Sequence, residues 1–589
     1  MSESEARRAQ AHPRPFRPPR YESPSKALYR LIVRHYPVSY QRLKKIVFDA
    51  KERVPDGPLG KIDDDGKLRK ILAEMGKRKK IYRIKKTPPP DVDLTQPLPE
   101  QYLSHFCPEA RYARQWPTPD GGNCRFEAYL RYESADRSWV CSTMNEDYDV
   151  IILGTGLKEC ILSGLLSVSG KKVLHLDRND YYGGEGASLN LNQLYRKFKP
   201  NETPDEATLG LSKYYCADLC PKFIMACGNL VKMLLHTKVT RYLEFKSMSG
   251  CYVYKDDAIH KVPATPAEAV ASSLMGFMQK HRFKSFLQMV SGYNQADPST
   301  HQGRNAAECT TADLYNYWKL DDNTQAFTGH AIALHTNDDY LQQSALDTVE
   351  KIQLYAYSVS RYGNSPFIYP IYGLGGLPEG FSRLAAIHGG TFMLNRPVQE
   401  VLYDEQGKAR GIRSNGEEAR APLIIGDPSY FLDTKKVVKT GKVARWLFIL
   451  DHPIDGTSGA DSCQIIIPFK HTGRKNDIYV SCVSHAHNVA AQGKYLAMIS
   501  SVVETSDSKR ELGHAVRLLG RTLADFFFES DMYSPTGDGT NDRVFIPKSF
   551  DPTSHFQQDA VNVIEIYERI TGTKLDLSIS AEPSDLQDQ

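Results

Sequence analysis

The chain has 589 residues, 41% hydrophobic and 24% charged, with a formal net charge of +4; that composition supports a large core and more than one domain, and excludes a disordered polymer. The charge is uneven, since residues 1–90 hold 24 Lys and Arg against 10 Asp and Glu while the rest holds 50 against 60, and an acidic body speaks against nucleic acid as its partner. The eleven cysteines follow no metal-site spacing, and no apolar run approaches the roughly eighteen residues of a membrane span.

Residues 1–20 are rich in Arg and Pro, with Pro13, Pro15, Pro18 and Pro19 excluding regular structure. Helical segments are expected around 25–34, 40–53 and 67–80, closed by Pro88-Pro89-Pro90, after which 88–143 reads as irregular. Leu28-Tyr29-Arg30 weakly resembles the LYR-motif proteins of mitochondria; the other reading is an unassigned basic extension. Met144 opens a segment that reads like the start of a protein, so a merged gene model is a third possibility for 1–143.

From Met144 the pattern is β-turn-α-β: a strand over 148–153, a helix running to about 168, and a strand over 172–176 closed by Asp177. The turn is a dinucleotide fingerprint, Gly154-Thr155-Gly156-Leu157-Lys158-Glu159, in which the third glycine has become Glu159. Asp177 stands where the ribose-binding acid of such sites falls. A carboxylate in that first helical turn would satisfy the helix dipole by itself and repel a pyrophosphate charge by roughly 4 kcal/mol at 4 Å and an effective dielectric near 20. The expectation is a flavoprotein scaffold whose cofactor site is closed, with no cofactor, no metal and no catalytic residue.

A helical region is expected over 265–361. Thr265-Pro266-Ala267-Glu268 is a capping-box signature with proline at the first helical position, and the helix it opens is expected to carry Val270, Leu274, Phe277 and Met278 on one face, followed by Phe286, Leu287 and Val290. Strands are expected around 367–372, 392–395, 400–403, 411–414, 423–427, 443–451, 464–468, 478–484 and 494–504. A last helix falls near 557–571 and a frayed tail over 578–589.

These residues carry a resemblance that composition does not supply. The runs 148–156, Glu159-Cys160-Ile161-Leu162-Ser163-Gly164, 177–185 with its Tyr181-Tyr182-Gly183-Gly184-Glu185, Phe327-Thr328-Gly329-His330-Ala331, Arg361-Tyr362-Gly363, Tyr372-Gly373-Leu374-Gly375 and 487–495 resemble those of Rab GDP-dissociation inhibitors. The resemblance implies an α/β fold: a doubly wound, FAD/NAD(P)-binding-like domain I with mixed sheets (144–261 and 366–575) and an inserted all-helical domain II (262–365). It implies a non-enzymatic, monomeric, cytoplasmic carrier that binds GDP-bound geranylgeranylated Rab GTPases, with transient membrane contact.

It also places roles on residues. Tyr182, Gly376, Arg383, Thr391 and Met393 fall on the Rab-binding platform, and Gly376 departs from a usually acidic position. Leu230 and Val231 fall where the Rab C-terminus passes, and Arg361 and Tyr362 on a mobile loop over about 358–365. Leu274, Phe277, Met278, Phe286 and Leu287 fall on the prenyl pocket, among helices of roughly 263–295 and 345–360. Two rival readings share the fold: a Rab escort protein, which usually carries long insertions that 144–589 lacks, and an FAD-dependent oxidoreductase, opposed by Glu159 and by the tyrosine pair Tyr181-Tyr182.

Overall fold

The computed structural model describes residues 130–133, 138–141, 144, 146–272 and 274–578. The expected helices of the N-terminal extension, the Leu28-Tyr29-Arg30 motif and nearly all of the C-terminal tail lie outside these residues. The chain divides at Thr143/Met144 into two compact units. Within the first, Leu130–Glu133 and Ser138–Cys141 pair as an antiparallel hairpin.

The second unit is built on a five-stranded parallel sheet, in the order Thr391–Met393, Val173–Leu176, Val150–Leu153, Ile424–Gly426 and Val544–Phe545. Val150–Leu153 and Val173–Leu176 are buried throughout, as strands covered on both faces must be. The helix Leu157–Val168 connects them and is itself buried along almost its whole length. Gly164 lets a second helix, Gly376–Ile387, approach closely: a Cβ there would sit 3.1 Å from the Phe381 ring. A third helix, Gln557–Thr571, is fastened to the first by an ion pair between Lys158 and Asp559 at 2.8 Å, both nearly buried.

A second, seven-stranded sheet runs Ala258–Lys261, Gly250–Lys255, Ser462–Ile467, Ile478–Ser484, Tyr495–Val502, Val437–Leu450 and Ala524–Pro535. Only the Gly250–Lys255 and Ser462–Ile467 pair is parallel. The helices between Pro266 and Tyr362 share one apolar core with the α/β elements, joining Phe286, Tyr315 and Val349 to Ile152, Phe223 and Phe367.

The capping signature at Thr265 is half realised. Thr265 Oγ1 accepts from the Glu268 amide at 3.2 Å, whereas the Glu268 carboxylate accepts from the Ala264 amide and from Lys261 Nζ. That helix stops at Ala271 and a new one, Phe277–Gly292, begins after Gly276. Leu274, Phe277 and Met278 therefore do not line one helical face. The helix Gly376–Ile387 and the long edge strand Ala524–Pro535 are elements that the sequence pattern did not reveal.

Candidate functional site

The fingerprint turn folds as its glycines require. Gly154 has φ +94°, and a side chain on it would press within 3.2 Å of Asp427 and of the Tyr430 ring. The space that a pyrophosphate would occupy is filled by the chain. A Cβ on Gly156 would collide with Glu159 Oε2, and a Cβ on Gly184 would lie 3.8 Å from the Gly156 amide. The turn containing Gly183 (φ +103°) is tied there by its amide, which donates to Thr155 O at 2.9 Å.

Asp177, the expected ribose acid, is 1% exposed and turned inward. One of its oxygens accepts from both the amide and the hydroxyl of Thr155 at 2.6 Å, and the other from the Asn179 amide at 2.8 Å. Behind the turn, His175 Nε2 bonds Gly154 O at 2.6 Å, and burial holds this imidazole down at about 4, so it is neutral. The Arg178 guanidinium lies 3.7 Å from the Tyr430 ring centroid and donates to Ser429 Oγ. These residues do not fit a dinucleotide.

Glu159 closes the site in a different way from the one its charge suggested. It is 3% exposed, and burial, with the nearby Asp427 adding to it, pushes its carboxyl up to about 8. At neutral pH the protonated acid therefore dominates. The obstruction is steric, the electrostatic repulsion expected from the sequence is largely absent, and the dipole is not offset by a full negative charge.

The residues expected on a partner surface divide. Tyr182 is half-buried beside Phe392, with ring centroids 6.3 Å apart. Arg383 is exposed on the helix Gly376–Ile387, its guanidinium 4.5 Å from the centre of the Tyr242 ring. Gly376 begins that helix and Thr391 starts the edge strand, both partly exposed. Met393 is only 3% exposed, packed beneath the sheet, so it can support this surface but not touch a partner directly.

Leu230 is likewise 3% exposed, within the same apolar core as Leu157, Phe556 and Val563, whereas Val231 beside it is partly open. The stretch expected as a loop over 358–365 is the last turn of the helix Ala345–Tyr362 followed by Gly363 at φ +83°; Arg361 and Tyr362 are exposed on it. Of the expected prenyl-pocket residues, Leu274 and Phe286 are buried and Leu287 is partly so. Phe277 and Met278, at 86% and 61% exposure, face solvent.

One organising residue escaped the sequence reading. Asp218 is 5% exposed and accepts from the hydroxyls of Ser188 and Tyr369 and, at 3.0 Å, from the Leu374 amide. Burial pushes its carboxyl up to about 6, against the pull of those three donors. Ser188 Oγ also accepts from the Gly375 amide at 2.8 Å. The turn before the Gly376 helix is thus pinned from inside to the segment that follows Gly183-Gly184.

Among the described residues no group of three or more His, Cys, Asp or Glu is arranged to hold a metal ion, and no helix is long and apolar enough to cross a membrane. The family model described as GDI, GDP dissociation inhibitor, matches residues 144–582. A guanosine nucleotide diphosphate dissociation inhibitor of Arabidopsis thaliana is 51% identical over 437 residues, covering 74% of this chain and 98% of that protein. Rab GDP dissociation inhibitor beta of Rattus norvegicus is 50% identical over 435 residues, covering 74% and 97%. The crystal structure of a Rab GDI from Plasmodium falciparum superposes with a TM-score of 0.71 at 47% identity, covering 73% of this chain and 99% of that one.

Proposed function

The chain belongs to the GDP dissociation inhibitor family, and from that premise we propose that it binds GDP-loaded, geranylgeranylated Rab GTPases as a monomer, blocks GDP release, and carries them between membranes through the cytosol. The observation that carries this reading is the identity of about half the residues across 97–98% of the named Arabidopsis and rat relatives. The filled pyrophosphate site agrees with it, since it leaves the flavoprotein scaffold to act through its surface.

In this reading domain I comprises 144–261 and 366–575 and domain II 262–365. Tyr182, Arg383 and Thr391 meet the switch surfaces, which differ between nucleotide states. Met393 holds that surface from beneath. Val231, Arg361 and Tyr362 lie along the path of the Rab C-terminus, with Leu230 supporting Val231 from the core. A protein that binds only the GDP state withholds it from exchange by mass action.

A geranylgeranyl chain has about twenty carbons, and at about 0.8 kcal/mol per buried CH₂ it cannot be left in water. We place it between the helices Phe277–Gly292 and Ala345–Tyr362, lined by Leu274, Phe286 and Leu287. Phe286 is enclosed edge-on by Tyr315 and Trp318 of the neighbouring helix Thr311–Tyr317 and its end, so the helix Phe277–Gly292 must shift away from them to admit the lipid.

The test is extraction. Membranes carrying prenylated Rab are incubated with the full chain, and soluble Rab is measured after loading with GDP or with a non-hydrolysable GTP analogue. Release of the GDP form alone is expected; equal release of both forms, or of neither by folded protein, would remove the reading.

A further inference from the structure

Phe277 is the most exposed large apolar side chain among the described residues, at 86%, and Met278 beside it is 61% exposed. Both stand on the first turn of the helix Phe277–Gly292, whose other end is firmly rooted. Phe286, Met289 and Val290 are buried, Phe283 packs against Phe286 and Phe327, and Gln353 Nε2 donates to Val290 O and Tyr293 O at 2.8 and 2.9 Å. The helix therefore holds out an apolar apex on a fixed base. Gly276 before it is exposed, and a Cβ there would meet nothing within 4 Å.

The helix behind the apex carries charge of one sign, with Asp321 beside it, the Asp321 amide donating to Gln279 Oε1 at 3.4 Å. Lys280, His281, Arg282 and Lys284 follow within two turns, and residues 269–296 contain no Asp or Glu, in a body that is otherwise net acidic. His281 and Lys284 are exposed, while Lys280 and Arg282 are partly so, Arg282 donating to Lys319 O at 3.2 Å. An aromatic and a thioether at the tip with cations just behind them match a bilayer interface: the apolar groups enter the acyl boundary and the cations meet anionic headgroups. An acidic protein would match the cations, but it would leave the protruding Phe277 without a partner.

We propose that the Phe277–Lys284 turn is a membrane-contact apex that inserts Phe277 and Met278 into the interface of an anionic lipid bilayer. The biological setting rests on the carrier reading above, but the contact itself needs no Rab. It holds the helical region against the membrane through two side chains that the sequence had assigned to a lipid pocket.

The test uses the full chain and a local readout, because the basic residues 1–90 bring their own attraction to anionic vesicles. Phe277→Trp protein is mixed with vesicles of phosphatidylcholine and phosphatidylserine carrying bromine-labelled acyl chains, and with phosphatidylcholine vesicles alone. Quenching in excess of that of wild-type protein, which carries four tryptophans of its own, is expected on the anionic vesicles only. It should weaken about fivefold in apparent affinity for each cation reversed in Lys280→Glu and Lys284→Glu. In flotation, above the common background that residues 1–90 give to wild type and variant alike, Phe277→Ser with Met278→Ser should lower vesicle binding about tenfold while circular dichroism and capture of soluble GDP-loaded Rab stay unchanged.

Absence of quenching, or equal quenching on neutral vesicles, would overturn the proposal. So would burial of the indole by soluble prenylated Rab without vesicles, which assigns the apex to the prenyl chain, or, in a parallel assay on polyglutamate, a Lys280→Glu, Lys284→Glu protein that loses binding to polyglutamate but not to vesicles, which assigns it to an acidic protein. Failure of the Rab capture in wild-type protein would count against the carrier reading and leave the quenching result standing.

Discussion

His330 lies in the π-helical turn Phe327–Ile332, with 1% of its surface exposed. Its Nδ1 donates to Asp477 Oδ2 at 2.8 Å and its Nε2 to Asp338 Oδ1 at 3.1 Å, so it joins the helical region to the seven-stranded sheet. Gly329 beside it has no room for a side chain, because a Cβ would collide with the Tyr340 hydroxyl. Burial alone would lower the imidazole pKa, but the bonds to Asp338 and Asp477 outweigh it and hold His330 at about 9.

A folded value of about 9 against about 6.5 in the unfolded chain is worth about 3 kcal/mol, fully present below pH 6.5 and lost as pH rises through 9. Asp338 is held down at about 2 by the same contact, which implies a somewhat smaller figure for one and the same interaction. The His330 value sets the scale, because Asp338 is a third exposed and screened by water. In urea unfolding followed by tryptophan fluorescence, wild type should exceed His330→Gln by about 3 kcal/mol more at pH 6 than at pH 10. A gap that is constant with pH would refute the imidazolium clamp, whatever its size.

Gly183→Ala must hold φ +103° with its Cβ 3.0 Å from Ala187 Cα, and should cost about 1–3 kcal/mol in chemical denaturation. Glu159→Gly restores the fingerprint in sequence yet leaves the Gly183-Gly184 turn and Tyr430 in place; purified protein should remain free of visible flavin absorbance, and stoichiometric flavin binding would contradict the steric account. Arg383→Ala removes the exposed guanidinium above Tyr242 and should weaken capture of GDP-loaded prenylated Rab about tenfold. Gly376→Glu puts an acid where the resemblance expects one, and its Cβ meets only the Leu243 Cδ2 methyl, at 3.1 Å; a rise of about threefold in Rab association rate that vanishes at high salt is expected, and no change would mean that the position lies off the interface.

The parts of the fold written in local pattern were legible. The helix Gln557–Thr571 and the strand Ile478–Ser484 fall at their expected bounds, because periodicity and flanking turns define them without tertiary help. The edge strand Ala524–Pro535 was not legible: its side chains are mostly half-buried and follow no alternation, and it is held by register against Val437–Leu450. Asp218 was invisible for a related reason, since its donor Leu374 lies 156 residues away and only folding brings them together.

Of the candidate site, the fingerprint turn was readable, but the state of Glu159 was not, because burial is a property of the packed protein. The exposure of Phe277 and Met278 was not readable, because an apolar pattern shows where apolar residues fall, not whether anything covers them. The burial of Leu230 and Met393 was hidden in the opposite sense, as residues near a surface whose side chains turn to the core.

The Gly183-Gly184 turn over Gly156 has a bearing on how much working protein a cell holds. A flavoenzyme exists as loaded and empty populations, whose ratio follows vitamin supply and the history of each molecule. Here the occupant of the cleft is encoded in the chain, delivered one to one at synthesis and unable to dissociate. With the cleft closed in this way, its assembly would require no loading step, and its occupancy would be indifferent to cofactor metabolism.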